Sequence, residues 1–167
     1  MATVTVRRIR ADEALQLREL RLAALDDAPY AFTTKHEDMV DKPVAFWAER
    51  VATNAEGDVL ATFVAERDGE WVGMVAGVHP EPDDPQLELV AMWVAPAGRG
   101  TGAGAALVDA VVDWGREIGA PSVGLWVVHG NDHAIALYER CGFSHTPDFV
   151  ARPSDPCGGE LRMTHAL

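Results

Sequence analysis

The pattern of apolar and polar residues predicts a strand followed by a helix at the start of the chain. Residues 3–10 alternate between the two classes, which is the period of a half-buried strand. From Glu13 to Leu25 apolar residues recur at helical spacing, and Asp12 precedes them as the expected N-cap. Three apolar residues share the helix face that we expect to be buried: Leu17, Leu20 and Ala24.

The same two periodicities predict the remaining elements. Residues 26–42 have no clear period, so a loop with a short helical turn is expected there. The Asp68-Gly69 pair predicts a hairpin, and the almost wholly apolar run 87–96 predicts a central strand that is buried on both faces. Further helices are expected at 44–53, 105–117 and 132–140, and further strands at 59–66, 70–78, 122–128, 143–152 and 160–166.

Length and charge restrict the class of protein. A chain of 167 residues, 48% of them hydrophobic, is typical of one continuous domain, so we expect a single domain over residues 1–167. The 26 acidic residues outnumber the 14 basic residues, which gives a net charge of −12. Because such a surface repels phosphate backbones and anionic lipid headgroups, we expect neither nucleic acid nor a membrane as partner. A small cationic partner suits this charge better.

The cysteines and the first residues indicate a cytoplasmic protein without a metal. The start of the chain lacks the continuous apolar stretch of a secretory signal. Cys141 and Cys157 are expected to stay reduced, as in the cytoplasm, because a chain of this size folds without disulfides. Neither cysteine belongs to a CxxC or CxxH pair that would favour a zinc site.

The densest chemical signal is a glycine-rich loop between the fourth strand and the next helix. Residues 94–107 read VAPAGRGTGAGAAL, with four glycines in seven residues. The backbone amides of such a loop, together with the positive end of the following helix, can hold a phosphate group. Gly102 and Gly104 lack a Cβ and would let a pyrophosphate approach the main chain, while Arg99 can add charge-assisted hydrogen bonds. A tight turn that merely requires glycine is the alternative.

Two other nucleotide-binding motifs fit this loop less well. A P-loop needs a lysine, and no lysine follows Lys42. Gly100, Gly102 and Ala105 satisfy the GxGxxA dinucleotide fingerprint, but residues 96–99 separate the strand from the first of these glycines. Too few residues remain after Ala105 for the rest of a doubly wound fold.

A second chemical segment, NDHAIALYERCGF at residues 131–143, follows a predicted buried strand. On a helix its apolar residues form one stripe that includes Leu137 and Tyr138, so Tyr138 is predicted to face inward. Taken alone, Tyr138 would be a core aromatic residue and Asn131 a helix N-cap.

Together the two segments resemble the GCN5-related N-acetyltransferase (GNAT) family. Its pyrophosphate motif, [RQ]xxGx[GA], is matched by Arg99, Gly102 and Gly104, and residues 131–143 match its N…A..LY…GF pattern. The resemblance implies an α/β fold with a mixed, mostly antiparallel seven-stranded sheet. This sheet would be splayed between strands 4 and 5 and flanked by about four helices.

The resemblance also implies acetyl-CoA as co-substrate, bound without a metal where the central strands separate. It assigns the pantetheine arm to Asn131 and to the backbone of Met92, Trp93 and Val94. The pyrophosphate is assigned to Arg99 and to a run of loop residues: Gly100, Thr101, Gly102, Ala103, Gly104 and Ala105.

Two residues are predicted to be catalytic. The family places the hydroxyl of Tyr138 near the sulfur, where it could donate a proton to the leaving thiolate. Glu88 stands where histone-acetylating relatives carry a general base, and burial in an apolar strand is expected to raise the pKa of its carboxyl. Two alternatives stay open: Glu88 is an exposed residue at the end of the sheet without a catalytic role, or the amine loses its proton through a chain of water molecules. His79 and His129 are weaker candidates for the general base.

Strand periodicity places the Glu88 side chain on one face of the fourth strand together with Val90, Met92 and Val94, unless a bulge shifts the register.

The expected reaction is transfer of the acetyl group to a primary amine of a small molecule or peptide, by direct attack in a ternary complex. The family's acceptor site would be formed by residues 26–42 and 146–159, which carry aromatic and acidic side chains. A homodimer is compatible with this interpretation. A non-catalytic acyl-CoA sensor or interaction protein of the same fold is the alternative.

Overall fold

Seven strands form a single sheet in which one neighbouring pair is parallel. The computed structural model describes residues 2–79, 83–152 and 158–167. The order across the sheet is β1-β2-β3-β4-β5-β7-β6, and β4 and β5 form the parallel pair. The strands are β1 Thr5–Arg8, β2 Leu60–Arg67, β3 Glu70–Val78, β4 Leu87–Val94, β5 Ser122–Val128, β6 Ser144–Ala151 and β7 Gly159–Ala166. The mixed, mostly antiparallel sheet expected from the sequence is confirmed.

Helices cover both faces of this sheet. They are α1 Ala14–Asp27, α2 His36–Met39, α3 Val44–Ala55, α4 Ala103–Glu117 and α5 Asp132–Arg140. Of these, α2 is the short helical turn expected within residues 26–42. No helix within the described ranges has the length and apolar character that crossing a bilayer requires.

Each face of the sheet has its own apolar core. On one face Leu107 and Val108 of α4 are fully buried in a cluster with Leu87 of β4. On the other face Trp47 and Val51 of α3 are fully buried with residues of α1 and β3. Burial of each such side chain contributes about 1.5–3 kcal/mol relative to exposure, so the two cores hold the helices firmly against the sheet.

The junction between β1 and α1 differs from the sequence prediction. The Glu13 carboxylate accepts a hydrogen bond from the Arg10 amide at 2.8 Å and pairs with Arg7 of β1. This contact turns the chain, so β1 ends at Arg8 and the helix begins one residue after Glu13, which occupies the N-cap position. The prediction of Asp12 as the cap was wrong, because the carboxylate with an ion-pair partner takes the turn.

A bulge in β4 changes which side chains face the cleft. Ala91 has a φ of 55°, and the register between β3 and β4 shifts between Met74 and Ala76. Leu89, before the bulge, and Met92, after it, therefore both contact the core under α4. The single face expected for Glu88, Val90, Met92 and Val94 is corrected: the extra residue reverses the alternation, so Glu88 is on the opposite face from Met92 and Val94.

The strain at Ala91 generates a prediction for stability. A left-handed alanine costs about 1 kcal/mol or more, which glycine avoids. Ala91→Gly should raise the free energy of unfolding by up to about 1 kcal/mol, as measured by urea denaturation. Ala48→Gly, on an exposed position of α3, is the control and should lower it by about 1 kcal/mol. A loss of stability in both variants would contradict a strained bulge.

Candidate active site

The sheet opens into a cleft where its two parallel strands separate. Pairing between β4 and β5 covers two registers, Leu87 with Val123 and Glu88 with Gly124. Beyond them the strands diverge and enclose a cleft of about 770 Å³, lined by residues from α1, β4, α4, β5 and α5. A large concave site therefore lies in the sheet where its parallel pair of strands separates.

One wall of the cleft is the free edge of β4. Met92, Trp93 and Val94, whose backbone was predicted to bind the pantetheine arm, line it, while the opposite edge of the strand is paired with β3 through Met74 and Gly73. A strand edge of this kind presents unpaired amide and carbonyl groups, so an extended ligand that carries amides can add to it as a further strand.

The glycine-rich loop closes one end of the cleft. Gly100 and Gly102 have φ values of 75° and 88°, in the left-handed region that favours glycine. Among residues 100–106, the first backbone amide that has a backbone acceptor is that of Ala106, which donates to the Gly102 carbonyl at 3.0 Å. The preceding amides have no backbone acceptor among the described residues, so this end of the cleft presents a group of donors to an anion.

The predicted phosphate-binding residues divide into two groups. Gly100, Gly102, Gly104, Ala105 and Arg99 line the cleft. Thr101 and Ala103 do not contribute to its lining: the Thr101 hydroxyl donates to the Gly98 carbonyl at 2.5 Å, and Ala103 is fully buried. The side chains of Thr101 and Ala103 therefore make contacts within the protein, and only their backbone amides could bind a ligand.

Gly104 has a packing role beside its predicted binding role. A Cβ at this position would lie 3.1 Å from Cδ2 of Leu137 in α5. The missing side chain therefore lets α4 and α5 approach each other beside the cleft.

Asp27, at the end of α1, connects the loop to β4. Its carboxylate accepts hydrogen bonds from the Trp93 indole at 3.0 Å and from the Arg99 guanidinium at 2.5 Å. The Trp93 hydrogen bond and then Arg99 hold the pKa of the Asp27 carboxyl below its usual value. Arg99, predicted to contact a pyrophosphate, thus lies at the cleft already oriented by a carboxylate.

The helix α5 brings Tyr138 and Asn131 to the same cleft. Tyr138 is buried against Phe143, with 5.9 Å between ring centroids, and burial, followed by nearby Cys141, raises the pKa of its phenol. Asn131 caps the helix through Oδ1, which accepts from the Ala134 amide at 3.3 Å. Both residues line the cleft, so each combines a structural role with access to a ligand.

Glu88 lies outside the cleft lining, at the end where β4 and β5 still pair. Its carboxylate forms a two-point ion pair with Arg162 of β7, one contact being 2.6 Å, and both side chains are largely buried. Arg162 also donates to Gln86. The structure therefore places the predicted base in an ionic network and not beside Tyr138.

Several cleft residues were not singled out by the sequence. Trp126 of β5, His133 and Arg140 of α5, and Glu160 of β7 line the cleft. They belong to no motif, and only the separation of β4 and β5 exposes them. From the expected acceptor segment 26–42, Tyr30 and Phe32 line the cleft, whereas Asp155 of the second segment lies outside the described residues.

A family model, the acetyltransferase (GNAT) family, matches residues 16–143. The chain belongs to the GNAT family. The matched range includes the bulged strand, the glycine-rich loop and Tyr138, which together form most of the cleft. This family uses acetyl-CoA.

Curated relatives of this GNAT chain are mycothiol acetyltransferases. The protein from Thermomonospora curvata is 36% identical over 100 residues, which is 59% of this chain and 33% of the relative. That from Nocardioides sp. is 32% identical over 157 residues, 87% of this chain and 51% of the relative. The chain thus spans between about a third and a half of the length of these relatives.

Solved structures share the fold along the whole chain. A GNAT acetyltransferase from Streptococcus pneumoniae has a TM-score of 0.83 at 16% identity and covers 98% of this chain and 99% of its own. Spermidine N-acetyltransferase from Vibrio cholerae, solved with CoA and spermine, has a TM-score of 0.77 at 17% identity, with coverage of 98% and 95%. At these identities the likeness concerns the fold.

The contacts of Asp27 predict how stability depends on pH. A carboxyl with a depressed folded-state pKa stabilises the protein above the unfolded pKa of about 3.9, and the stabilisation is lost as the pH falls through the folded pKa. Asp27→Asn should therefore be less stable than wild type at neutral pH, and the difference should shrink in acid. Urea denaturation of both proteins between about pH 2 and pH 7 measures this.

The matched control is Asp26→Asn. Among the described residues, the Asp26 carboxylate has one ion-pair contact, with the His36 ring at 3.6 Å. Its exchange should have a smaller effect at neutral pH. An equal effect of the two exchanges would mean that the bonds of Asp27 to Trp93 and Arg99 do not stabilise the fold.

Proposed function

We propose that this chain transfers the acetyl group of acetyl-CoA to a primary amine of a small molecule or peptide. One observation carries the proposal: the free edge of β4, the donor-rich glycine loop and the Tyr138 phenol line one continuous cleft. An acyl-CoA needs these three features, which are an edge for its amides, donors for its pyrophosphate and a proton donor for its sulfur.

The proposed reaction is direct attack in a ternary complex. The amine nitrogen, in its neutral form, forms a bond to the thioester carbonyl carbon. The carbon–sulfur bond then breaks, the sulfur leaves with the bonding electron pair and takes up a proton, and the nitrogen loses one. Hydrogen-bond donors placed where this charge develops lower the barrier.

Tyr138 suits the role of proton donor to the sulfur. Because burial raises the pKa of its phenol, the hydroxyl stays protonated throughout the range in which the enzyme would work. Among the described residues it has no hydrogen-bond partner, so the proton is not held by another group.

Glu88 remains the proposed base, acting on the acceptor amine. Its two-point ion pair with Arg162 occupies both of its oxygens. If Glu88 is the base, a water path must therefore carry the proton from the amine to its carboxylate. The alternative is that solvent deprotonates the amine without Glu88.

The proposed acceptor is an amine, and the names of the relatives do not identify which amine it is. Curated relatives are named for mycothiol and a structural neighbour for spermidine, so acceptors of different chemistry occur on similar chains. Tyr30 and Phe32 give the acceptor side of the cleft an apolar character.

Release of free thiol from acetyl-CoA across an amine panel, with mass spectrometry of the products, tests the proposal. An acetylated amine and a stoichiometric thiol support it. Tight binding of acetyl-CoA without acetylation of any amine would instead indicate the sensor of the same fold.

Tyr138→Phe removes the proton donor and retains the ring that packs on Phe143. It should lower kcat by about 100-fold, the lower end of the range for loss of a general acid. The affinity for acetyl-CoA, measured by calorimetry, should change little. Phe143→Leu alters the same aromatic contact without touching the hydroxyl and is the control. An unchanged kcat in Tyr138→Phe would reduce Tyr138 to a packing residue.

Glu88→Gln separates the two possible routes for the amine proton. If Glu88 is the base, the variant should lose the rise of kcat/KM with pH, whereas a limb set by solvent deprotonation should follow the substrate. Two amines whose pKa values differ by at least about one unit distinguish these outcomes. A limb that tracks the amine in the wild type excludes Glu88.

The ion pair requires a stability control for this variant. Loss of one partner of a buried pair costs about 3 kcal/mol, because Arg162 would keep its charge without a carboxylate. Adding Arg162→Gln should restore part of the stability. If it also restores the rate, the loss in Glu88→Gln came from structure and not from proton transfer.

A further inference from the structure

A second, smaller cavity of about 80 Å³ lies on the opposite side of β4 from α4. Residues of α1, α3, β2, β3 and β4 line it. Val90 and Ala91 of the bulged strand line both this cavity and the large cleft, so the two spaces meet across β4.

The cavity collects buried polar groups that have no partner. The described residues provide no hydrogen-bond partner for Nε and Nη1 of Arg21, for Nε1 of Trp47 or for Oδ1 of Asn54, and all three residues line it. Arg21 is 8% exposed, Trp47 0% and Asn54 4%. Because an unsatisfied buried polar group destabilises the folded state, four such atoms around one cavity indicate that a polar molecule from outside the chain occupies it.

The charge of this cavity is positive in an acidic protein. Arg21 and Arg50 both line it, and neither has an ion-pair partner among the described residues. Two carboxylates of this region are engaged elsewhere, since Asp27 of α1 binds Arg99 and the N-cap residue Glu13 binds Arg7. Burial and the nearby Arg50 lower the pKa of Arg21 to about 10, which leaves it charged at neutral pH without a counter-ion.

The free donors outnumber the free acceptors. Arg21 offers two donor nitrogens, Nε and Nη1, and Trp47 offers one, whereas Asn54 donates to the Thr62 hydroxyl at 2.7 Å and leaves its Oδ1 as an acceptor. Donors and positive charge together fit an anion such as a carboxylate. The volume admits a carboxylate group but not a whole substrate.

Phe32 links the cavity to the cleft. The Arg21 guanidinium lies over its ring, 4.6 Å from the centroid, and Phe32 itself lines the cleft. A ligand with its anionic end at Arg21 could therefore pass along Phe32 and the β4 bulge into the cleft.

We infer that the acceptor is an amino carboxylic acid, whose carboxylate binds Arg21 and Arg50 in this cavity while its amine reaches the cleft. The inference rests on the proposed acetyl transfer. It adds to that proposal an anionic group on the acceptor, which the acidic composition of the chain does not suggest. Arg21 acts here as a specificity-determining residue that touches the acceptor and not the reacting atoms.

The test compares carboxylic acids with their own amides. Amino acids, including the ω-series from β-alanine to 6-aminohexanoate, are offered beside their primary amides, and thiol release from acetyl-CoA is measured. The best acid should exceed its amide by about 10- to 100-fold in kcat/KM, the range for one or two charge-assisted hydrogen bonds. Equal rates for every acid and its amide would overturn the inference.

Arg21→Met removes the charge and keeps the length of the side chain. It should abolish the preference by raising KM for the acid toward the KM for its amide, and Arg21→Lys should restore part of the preference. The control is Arg116→Met, on the exposed side of α4, where Arg116 pairs with Asp113. Survival of the preference in Arg21→Met would contradict the assignment.

The Trp47 indole supplies a readout that does not depend on activity. The chain has five tryptophans, and Trp47→Phe identifies the Trp47 indole N–H signal in a ¹⁵N correlation spectrum. In wild-type protein saturated with CoA, the preferred amino acid should shift this signal saturably and its amide should not. If no amine is acetylated but the acid shifts the signal, acetyl transfer fails and the anion site stands. If neither compound shifts it, the cavity holds water alone and the inference fails.

Discussion

Two strand edges that face each other without pairing organise this protein. The parallel ladder between β4 and β5 ends after Glu88 and Gly124, although both strands continue for several residues. Buried backbone groups normally find partners, so an interrupted ladder in the middle of a sheet is costly unless a ligand completes it. The cleft lies at this interruption, and the glycine-rich loop and α5 line it.

The bulge at Ala91 is the local cause of this arrangement. Its left-handed backbone inserts one residue into β4, which reverses the alternation of side chains and increases the twist of the strand. Met92 consequently faces the core under α4, while Trp93 faces the α1 side and donates to Asp27. The bulge at Ala91 thus lets β4 place Met92 in the core under α4 and Trp93 beside Asp27 on the other face.

The charged groups differ between the cleft and the smaller cavity. On the cleft side Asp27 orients Arg99 next to a loop rich in amide donors. Behind the bulge, Arg21 and Arg50 carry positive charge without a counter-ion among the described residues. A chain with a net charge of −12 therefore has two unpaired cations at one cavity, and the charge of the buried Arg21 is costly there. Such an arrangement costs stability and is more easily explained by binding than by folding.

The sequence by itself determined the order of the elements, because strand and helix periods differ and each period was clear. It also located the glycine loop, the inward-facing Tyr138 and the N-cap Asn131, since these depend on spacing along one helix or one turn. At the first helix the observed N-cap is Glu13 and not the predicted Asp12. Local patterns failed here because an ion pair between Glu13 and Arg7 of β1 determines the turn.

Only the tertiary structure decided what the motifs do not contain. The face of Glu88 depended on a bulge that no residue type announces, and its partner Arg162 lies 74 positions further along the chain. Arg21, Trp47 and Asn54 looked like ordinary helix residues until α1 and α3 packed on the sheet around one cavity. Periodicity describes a residue relative to its own element, whereas unpaired polar atoms and ion pairs arise from contacts between elements, which the sequence does not record.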